Sequence, residues 1–301
     1  MQQRISHLQA IWLAIAGFTC WVLCDSVIKL IGPSGLPNYE VICWMGFSIA
    51  TFVSAYALWR GEGRSLWPHR PKRLIARSCL DVGNNLCVVV ALRHLSLTLF
   101  YVLIFTSPMV VAVLGRVFLK EGLGWRRAGA ILTGFLGVVL AVFPSRSSGR
   151  SVWVGFAACA VCVCCFSVGI VWARVISQAE RAESMTLFSG LVSGVVGLVC
   201  MLVYAVPLNW KLCVALSVMG LLGAIGNICV FAALRHTAAA TVSQYHYSQL
   251  VSGSVVAYLL FGERPNAFLL MGALLIVGAG LYIAVHRPQT EEVRAGEVAP
   301  G

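Results

Sequence analysis

A ten-residue segment at 85–94 returns at 227–236 with seven identical residues, 142 positions further along the chain. Both copies begin with asparagine and end with arginine and histidine. Matches outside the segment keep this offset to within one residue: Cys24 with Cys165, Glu121 with Glu263 and Gly129 with Gly272. A constant offset over most of a chain indicates a duplicated unit, and in an apolar chain duplication is typical of transporters built from repeats.

Ten apolar stretches follow one another along the chain, each long enough to cross a bilayer core as a helix of about 20 residues. They lie at roughly 8–31, 39–59, 74–95, 97–119, 127–144, 152–176, 184–206, 212–234, 239–260 and 266–286. Only 11% of the residues are charged, whereas soluble proteins average roughly 25%. The sequence therefore predicts an all-α membrane protein with ten transmembrane helices embedded in the lipid bilayer.

Each copy of the duplicated unit holds five of these stretches, and five is an odd number of crossings. We therefore expect two five-helix repeats inserted in opposite directions, at 1–146 and 147–286, followed by a disordered cytoplasmic tail at 287–301. Inverted repeats place the substrate near the middle of the membrane and give two access states of similar energy. This organisation predicts a carrier that works by alternating access.

The net charge of +11 is explained by topology and does not require nucleic acid as a partner. With the N-terminus inside, 16 of the 22 lysines and arginines fall in cytoplasmic segments and 5 in external ones. The positive-inside rule then predicts that both termini are cytoplasmic. The twelve cysteines all lie within the apolar stretches, where thiols commonly pack as small apolar groups, so we expect neither a metal nor a cofactor.

Several short motifs resemble the EamA-type branch of the drug/metabolite transporter superfamily: 105–108 (FTSP), 119–121 (LKE), 125–127 (WRR) and 272–276 (GALLI). The resemblance implies a carrier of the bacterial inner membrane with ten helices and a central cavity. Motifs of membrane-embedded enzymes and of nucleotide-driven pumps are absent from the sequence, so no catalytic residues are expected and the chain is not interpreted as an enzyme.

The leading functional hypothesis is export of a small amino-acid-like or zwitterionic metabolite, for instance an opine-type metallophore. The alternative is uptake of a vitamin- or nucleotide-like metabolite, and a more distant one is a structural membrane protein that transports nothing. The direction of export rests on the family resemblance.

Ionisable side chains inside the stretches need a reason, because each costs about 2.5–3.5 kcal/mol on insertion scales. Asp25 and Lys29 are four residues apart on one helix face and can neutralise each other. Two interpretations stay open: a structural charge pair, or a role for Asp25 in carrying a coupling proton or meeting a substrate amino group. Asp81 occurs in one half only, as specificity for a substrate requires, although Arg77 one turn earlier is an alternative partner.

Asn85 and its repeat mate Asn227 lie near mid-membrane, where an amide either bonds to another helix or lines a cavity. Bonding between helices is slightly favoured, because the pair occurs in both copies. Glu263, like Glu121, directly precedes a predicted helix whose N-terminus favours a carboxylate, and both glutamates are interpreted as structural.

The ninth stretch carries the candidate binding segment. Its six polar or aromatic residues cover every face of a helix, so some of them must point into the bundle; they are Gln244, Tyr245, His246, Tyr247, Ser248 and Gln249. His246 is the one group among them that titrates near neutral pH, which makes it a second candidate for proton coupling. In the fourth stretch the matching residues include Tyr101, and Pro108 predicts a kink that the second half, with Leu250 at this site, would lack.

Overall fold

The computed structural model describes residues 7–119, 125–142, 150–237, 242–243, 245–264 and 266–285. Within these ranges there is no β-strand, and short turns and two 3-10 helices, Gly32–Ser34 and Gly63–Leu66, join the α-helices. The α-helices are α1 (His7–Ile31), α2 (Asn38–Trp59), α3 (Pro71–His94), α4 (Leu97–Ile104), α5 (Ser107–Leu119), α6 (Trp125–Val142), α7 (Arg150–Ile176), α8 (Ala182–Met201), α9 (Trp210–His236), α10 (Ser248–Phe261) and α11 (Ala267–Val285). The predicted all-α class is confirmed. The predicted tail at 287–301 lies outside the described residues, as does Glu121.

Six of these helices, α1, α2, α3, α7, α8 and α9, are long and apolar enough to cross a membrane. Shorter apolar helices cover 97–111, 132–141, 248–261 and 267–282, where the fourth, fifth, ninth and tenth stretches were expected. A helix pairs its own backbone N–H and C=O groups, for which lipid offers no hydrogen-bond partners. Large apolar side chains such as Leu132 and Leu274 are exposed on the outer helix surfaces, as contact with lipid requires. The chain is a multi-span membrane protein.

The fourth stretch is broken into α4 and α5, as Pro108 predicts. Phe105 and Thr106 form the turn between them, and the amide of Thr106 donates to the carbonyl of Leu103 at 3.1 Å, one residue short of helical spacing. The Thr106 hydroxyl donates to the same carbonyl at 2.8 Å. Pro108 lacks the N–H that would donate to the carbonyl of Ile104, and the hydroxyl of Ser107 donates to that carbonyl instead.

The expectation that only the first half is kinked is wrong. The ninth stretch is interrupted at His246 and Tyr247, where the amide of Gln249 donates to the carbonyl of His246 and that of Leu250 to Tyr247, both at 3.0 Å. The helix is interrupted there without a proline, by a local change to the tighter i→i+3 spacing of a 3-10 turn. Directly after the break, the Gln249 side chain donates to the carbonyl of Phe18 in α1 at 2.9 Å.

The main helix contacts join the first half of the chain to the second. Helix α1 packs on α9, α3 on α7, α2 on α8, and α6 on α11. In the two repeats, α1 corresponds to α7, α2 to α8, α3 to α9 and α6 to α11. When each helix is replaced by its repeat mate, the α1–α9 pair becomes the α7–α3 pair, and the α2–α8 and α6–α11 pairs are unchanged. The space enclosed by the first three pairs and by α4 lies at the centre of the bundle and forms the cavity described below.

Helices α2 and α8 approach most closely at glycine. A Cβ atom on Gly46 would lie 2.6 Å from the carbonyl oxygen of Gly190 and 2.9 Å from the Cα of Gly194. Both contacts are with backbone, which has no room to move without separating the helices. Small residues of this kind permit close helix packing in lipid, where no hydrophobic force draws helices together.

We expect Gly46→Ala to destabilise the protein by about 1–3 kcal/mol, because the added methyl group overpacks this contact. Thermal unfolding of purified protein in detergent measures the change. Gly278→Ala in α11 is the matched control, since a Cβ there meets no atom within 4 Å. Equal unfolding temperatures for the two variants would contradict the close contact between α2 and α8.

Candidate functional site

A cavity of about 120 Å³ lies between helices of both halves. A single water needs roughly 10–15 Å³ of such a volume. The space is therefore a chamber and not a packing defect. Seven of the residues singled out in the sequence line it: Asp25, Asp81, Asn85, Tyr101, Asn227, His246 and Gln249. The chamber thus gathers candidates from five separate stretches.

Asp25 lines the cavity from α1, and its carboxylate accepts a hydrogen bond from the hydroxyl of Tyr101 at 3.0 Å. Tyr101 is buried on α4, where it stacks on Phe105 in the turn that ends this helix. The expected pairing of Asp25 with Lys29 is replaced in the structure by different partners for the two side chains. Asp25 therefore has a neutral partner at the edge of the cavity.

Lys29 forms an ion pair with Glu263 and donates to the carbonyl of Leu95 at 3.4 Å. The Glu263 carboxylate also accepts from the amides of Leu97 and Thr98, at 3.0 and 3.1 Å, and from the Thr98 hydroxyl at 3.0 Å. Glu263 thus caps α4 of the other half and not the helix that follows it, because the free amides at the start of α4 are within reach.

The environment of Glu263 favours its charged form. Partial burial alone would raise its pKa, but the hydrogen bonds from Lys29 and from the amides of Thr98 and Leu97 outweigh burial and lower the pKa below its usual value. The charged carboxylate therefore ties α1, α4 and the connection between α10 and α11 together at one end of the bundle.

Asp81 pairs with Arg77, the alternative that the sequence left open. Two guanidinium nitrogens of Arg77 donate to the Asp81 carboxylate at 3.0 and 3.1 Å. The hydroxyl of Ser189 in α8 donates to the same carboxylate at 2.7 Å, and the guanidinium carbon lies 4.4 Å from the ring centroid of Phe231 in α9. Arg77 is only 3% exposed, yet it lines the cavity together with these three partners.

Both repeat-related asparagines line the cavity, and Asn227 also bonds to another helix. Asn227 accepts a hydrogen bond from the indole of Trp21 in α1 at 3.1 Å and also lines the cavity. Asn85 lines the cavity next to Asn84, whose side-chain oxygen accepts a bond from the thiol of Cys162 at 3.1 Å. Framework bonds and cavity lining are therefore not exclusive here.

His246 sits among aromatic rings at the break in the ninth stretch. Its ring centroid lies 4.8 Å from those of Phe18 and Phe166 and 6.0 Å from that of Phe105. Phe105 also lies 5.6 Å from the ring of Tyr247, so the breaks in the fourth and ninth stretches pack against each other. Aromatic contacts therefore join the two discontinuities across the halves.

The rest of the ninth stretch divides between the cavity and the surrounding helices. Gln249 lines the cavity, whereas Tyr245 and Tyr247 are not among the lining residues. The buried Tyr247 packs against Gly280 of α11. Both tyrosines were predicted to belong to the binding segment, and the structure places neither in the cavity lining, so their contact with a substrate stays a prediction. Gln244 lies outside the described residues.

Several residues that line the chamber were not among those predicted from the sequence, notably Trp21, Phe166 and Ser189. Trp21 precedes Asp25 by four residues and so lies on the same helix face, a signal that was available. Ser189 and Phe166 carried none, since both resemble ordinary packing residues. Within the described ranges, no group of three or more His, Cys, Asp or Glu side chains is arranged to hold a metal ion.

Comparison with known proteins matches the chain to a family model described as the EamA-like transporter family, at residues 8–143 and again at 153–285. An S-adenosylmethionine uptake transporter of Rickettsia bellii is 25% identical over 263 residues, covering 86% of this chain and 87% of that protein. A riboflavin transporter of Rhizobium johnstonii is 26% identical, covering 94% and 92%. A pseudopaline exporter of Pseudomonas aeruginosa is 26% identical, covering 88% and 92%.

A solved crystal structure has the same fold, with a TM-score of 0.65 over 91% of this chain and 98% of that chain, at 19% identity.

We expect Glu263→Gln to lower stability by about 1–3 kcal/mol at neutral pH, because it leaves Lys29 without its anionic partner. Since the folded-state pKa is lowered, the contribution of Glu263 is fully present above about pH 4–5 and is lost as the pH falls through the lower folded-state value. Unfolding midpoints measured between pH 3 and pH 8 should therefore converge for wild type and variant at the acid end.

Glu62→Gln is the control, because Glu62 pairs with Arg181 at the surface, where both side chains are more than one-third exposed, and surface pairs contribute little. A difference between wild type and Glu263→Gln that is the same at every pH would contradict this assignment.

Proposed function

The chain belongs to the EamA-like transporter family, and from this premise we propose that it is a secondary carrier for a small amino-acid-like or zwitterionic metabolite with a cationic group. Its relatives are transporters and not enzymes. The observation that carries the proposal is the carboxylate of Asp25, which lines the central cavity with the neutral Tyr101 as its partner. An ammonium or similar cation on the substrate supplies the positive charge that no protein side chain provides as a hydrogen-bond partner of Asp25.

Alternating access between two inverted five-helix repeats is the proposed mechanism. The family model matches the chain twice, at 8–143 and 153–285, and the main helix contacts keep their pattern when the halves are exchanged. The buried carboxylates Glu40 and Glu180 support the same symmetry. Glu180 accepts from the amides of His69 and Arg70 just before α3, and Glu40 accepts from the amide of Val206 just before α9. The third helix of each repeat is thus held by the other repeat.

The proposed domains follow from this symmetry, with one repeat at 1–146 and the inverted one at 147–286. The placement of positive charges supports cytoplasmic termini. The bacterial origin of the relatives supports the inner membrane as the location.

Proton coupling at Asp25 is part of the proposal. A carboxylate that binds either a proton or a substrate cation, but not both, links the two movements by competition. The charged and titratable groups around Asp25 favour this role, because Lys29 is engaged by Glu263 and Arg77 by Asp81. Among the described neighbours, the thiols of Cys24 and Cys162 and the ring of His246 line the same cavity. Substrate and proton would then compete for one anionic site.

Export is the proposed direction, in keeping with the relative named as a pseudopaline exporter. The second candidate is uptake of a nucleotide- or vitamin-like metabolite, which the aromatic rings of Trp21 and Phe166 at the cavity favour because planar rings stack on them. Relatives named for S-adenosylmethionine and riboflavin support this second candidate. Flux from loaded proteoliposomes of known orientation, measured in both directions under a proton gradient, distinguishes the two.

We expect Asp25→Asn to abolish the pH dependence of transport and to weaken substrate binding by roughly 10- to 100-fold, because a charged hydrogen bond contributes about 1.5–3 kcal/mol. Tyr101→Phe removes only a neutral donor and should have a smaller effect. Proteoliposomes supplied with radiolabelled S-adenosylmethionine, riboflavin or an opine provide the measurement.

The Glu62→Gln variant, whose change lies at the surface and outside the cavity lining, is the control and should transport at the wild-type rate with the wild-type pH profile. Unchanged pH dependence in a folded Asp25→Asn protein would overturn proton coupling at this residue. Transport of riboflavin alone would replace the first candidate by the second.

A further inference from the structure

The cavity has two charged ends, and their spacing restricts what can occupy it. Asp25 lies on α1 and the Arg77–Asp81 pair on α3, and all three side chains line the same chamber. We infer that the transported molecule is elongated, with a cationic group held at Asp25 and a carboxylate held by Arg77 at the opposite end. This inference rests on the proposed function, which assigns only the cationic end.

The separation of the two ends follows from the antiparallel packing of α1 and α9. A Cβ on Gly17 would lie 2.9 Å from the carbonyl of Gly226, and the thiol of Cys24 lies 3.6 Å from the carbonyl of Met219. A step of seven residues toward the C-terminus of α1 therefore corresponds to a step of seven residues toward the N-terminus of α9.

Applied to Phe231, this register places the ring level with about residue 12 of α1. The Arg77 guanidinium lies against that ring, whereas Asp25 is about ten to thirteen residues further along α1. At 1.5 Å per residue the two groups are roughly 15–20 Å apart along the helix axis.

A separation of this size excludes a free α-amino acid from bridging both ends, because its ammonium and carboxylate are attached to the same carbon. A molecule with the two groups at opposite ends of a chain or ring system can reach both. The rings of Trp21, Phe166 and Phe100 line the same cavity, so the middle of the ligand passes apolar and aromatic surface.

Arg77 has donors left for a carboxylate. Guanidinium carries five N–H groups, of which two bond to Asp81, and the buried Nε has no hydrogen-bond partner. Asp81 keeps the hydroxyl of Ser189 as a second donor, so it stays partly satisfied when Arg77 shifts toward a ligand. Planar, bidentate recognition of carboxylates is the interaction for which arginine is best suited.

The test uses ω-amino carboxylates as rulers and measures their binding to the purified full-length protein by titration calorimetry. We expect 11-aminoundecanoate to bind at least roughly tenfold more tightly than glycine or 6-aminohexanoate, because only the long member reaches both ends. Its methyl ester retains the cation alone, and its N-acetyl derivative retains the carboxylate alone. Each derivative should bind more weakly than the parent compound, by about the same tenfold factor in affinity.

Arg77→Gln should weaken binding of 11-aminoundecanoate to the level of its methyl ester and leave the ester unaffected. The double variant Arg77→Gln/Asp81→Asn removes both buried charges and keeps the test valid where the single change prevents folding. Arg73→Gln is the matched control, since Arg73 is exposed one turn earlier on α3 and should leave both affinities unchanged.

Equal affinity for short and long members, or full retention of carboxylate preference in the Arg77 variants, would overturn the two-ended site. If Asp25→Asn weakens binding of the methyl ester in that case, the cationic site of the proposed function stands. If Asp25→Asn changes neither compound, the proposed function itself fails.

Discussion

Lipid offers no hydrogen-bond partners, so each polar group inside the bilayer must find one within the protein. The two charged groups of α3, Arg77 and Asp81, pair with each other, and Ser189 donates a further hydrogen bond to Asp81. Asp25 departs from this pattern, because its partner Tyr101 is neutral. A carboxylate in such surroundings is costly unless a cation or a proton joins it, and the proposed transport cycle supplies each in turn.

The same requirement ties the two halves of the chain together. Glu263, Glu180 and Glu40 each accept backbone hydrogen bonds from the opposite half. Glu263 and Glu180 lie in connections between helices, and Glu40 lies in the first turn of α2. The amides that they bind lie outside regular helix or at a helix start, where the backbone lacks intrahelical partners. Helices then pack across the halves through glycine contacts such as Gly46 on Gly190. The chamber is bounded by elements that each belong to a pair spanning both repeats.

Sequence patterns predicted the helices closely, because apolar stretches near 20 residues leave a chain in lipid few alternatives. The kink at Pro108 was also predicted, because the missing N–H of a proline is a local property of the chain. The break at His246 was not predicted, because 245–250 contains no proline and the i→i+3 bonds that mark the break are seen only in the folded chain. Spacing alone suggested that Lys29 neutralises Asp25, but the partner of Lys29 is Glu263, which is distant in sequence.

The sequence by itself determined that the chain is helical, embedded in a membrane and a member of a carrier family, because length, apolarity and motif order are properties of the chain. The tertiary structure decided which polar residues meet: Asp25 with Tyr101, Arg77 with Asp81, and Lys29 with Glu263. Partner choice depends on the register between packed helices, and a shift of one residue turns a side chain by about 100° around its helix. No single helix carries the information that fixes that register.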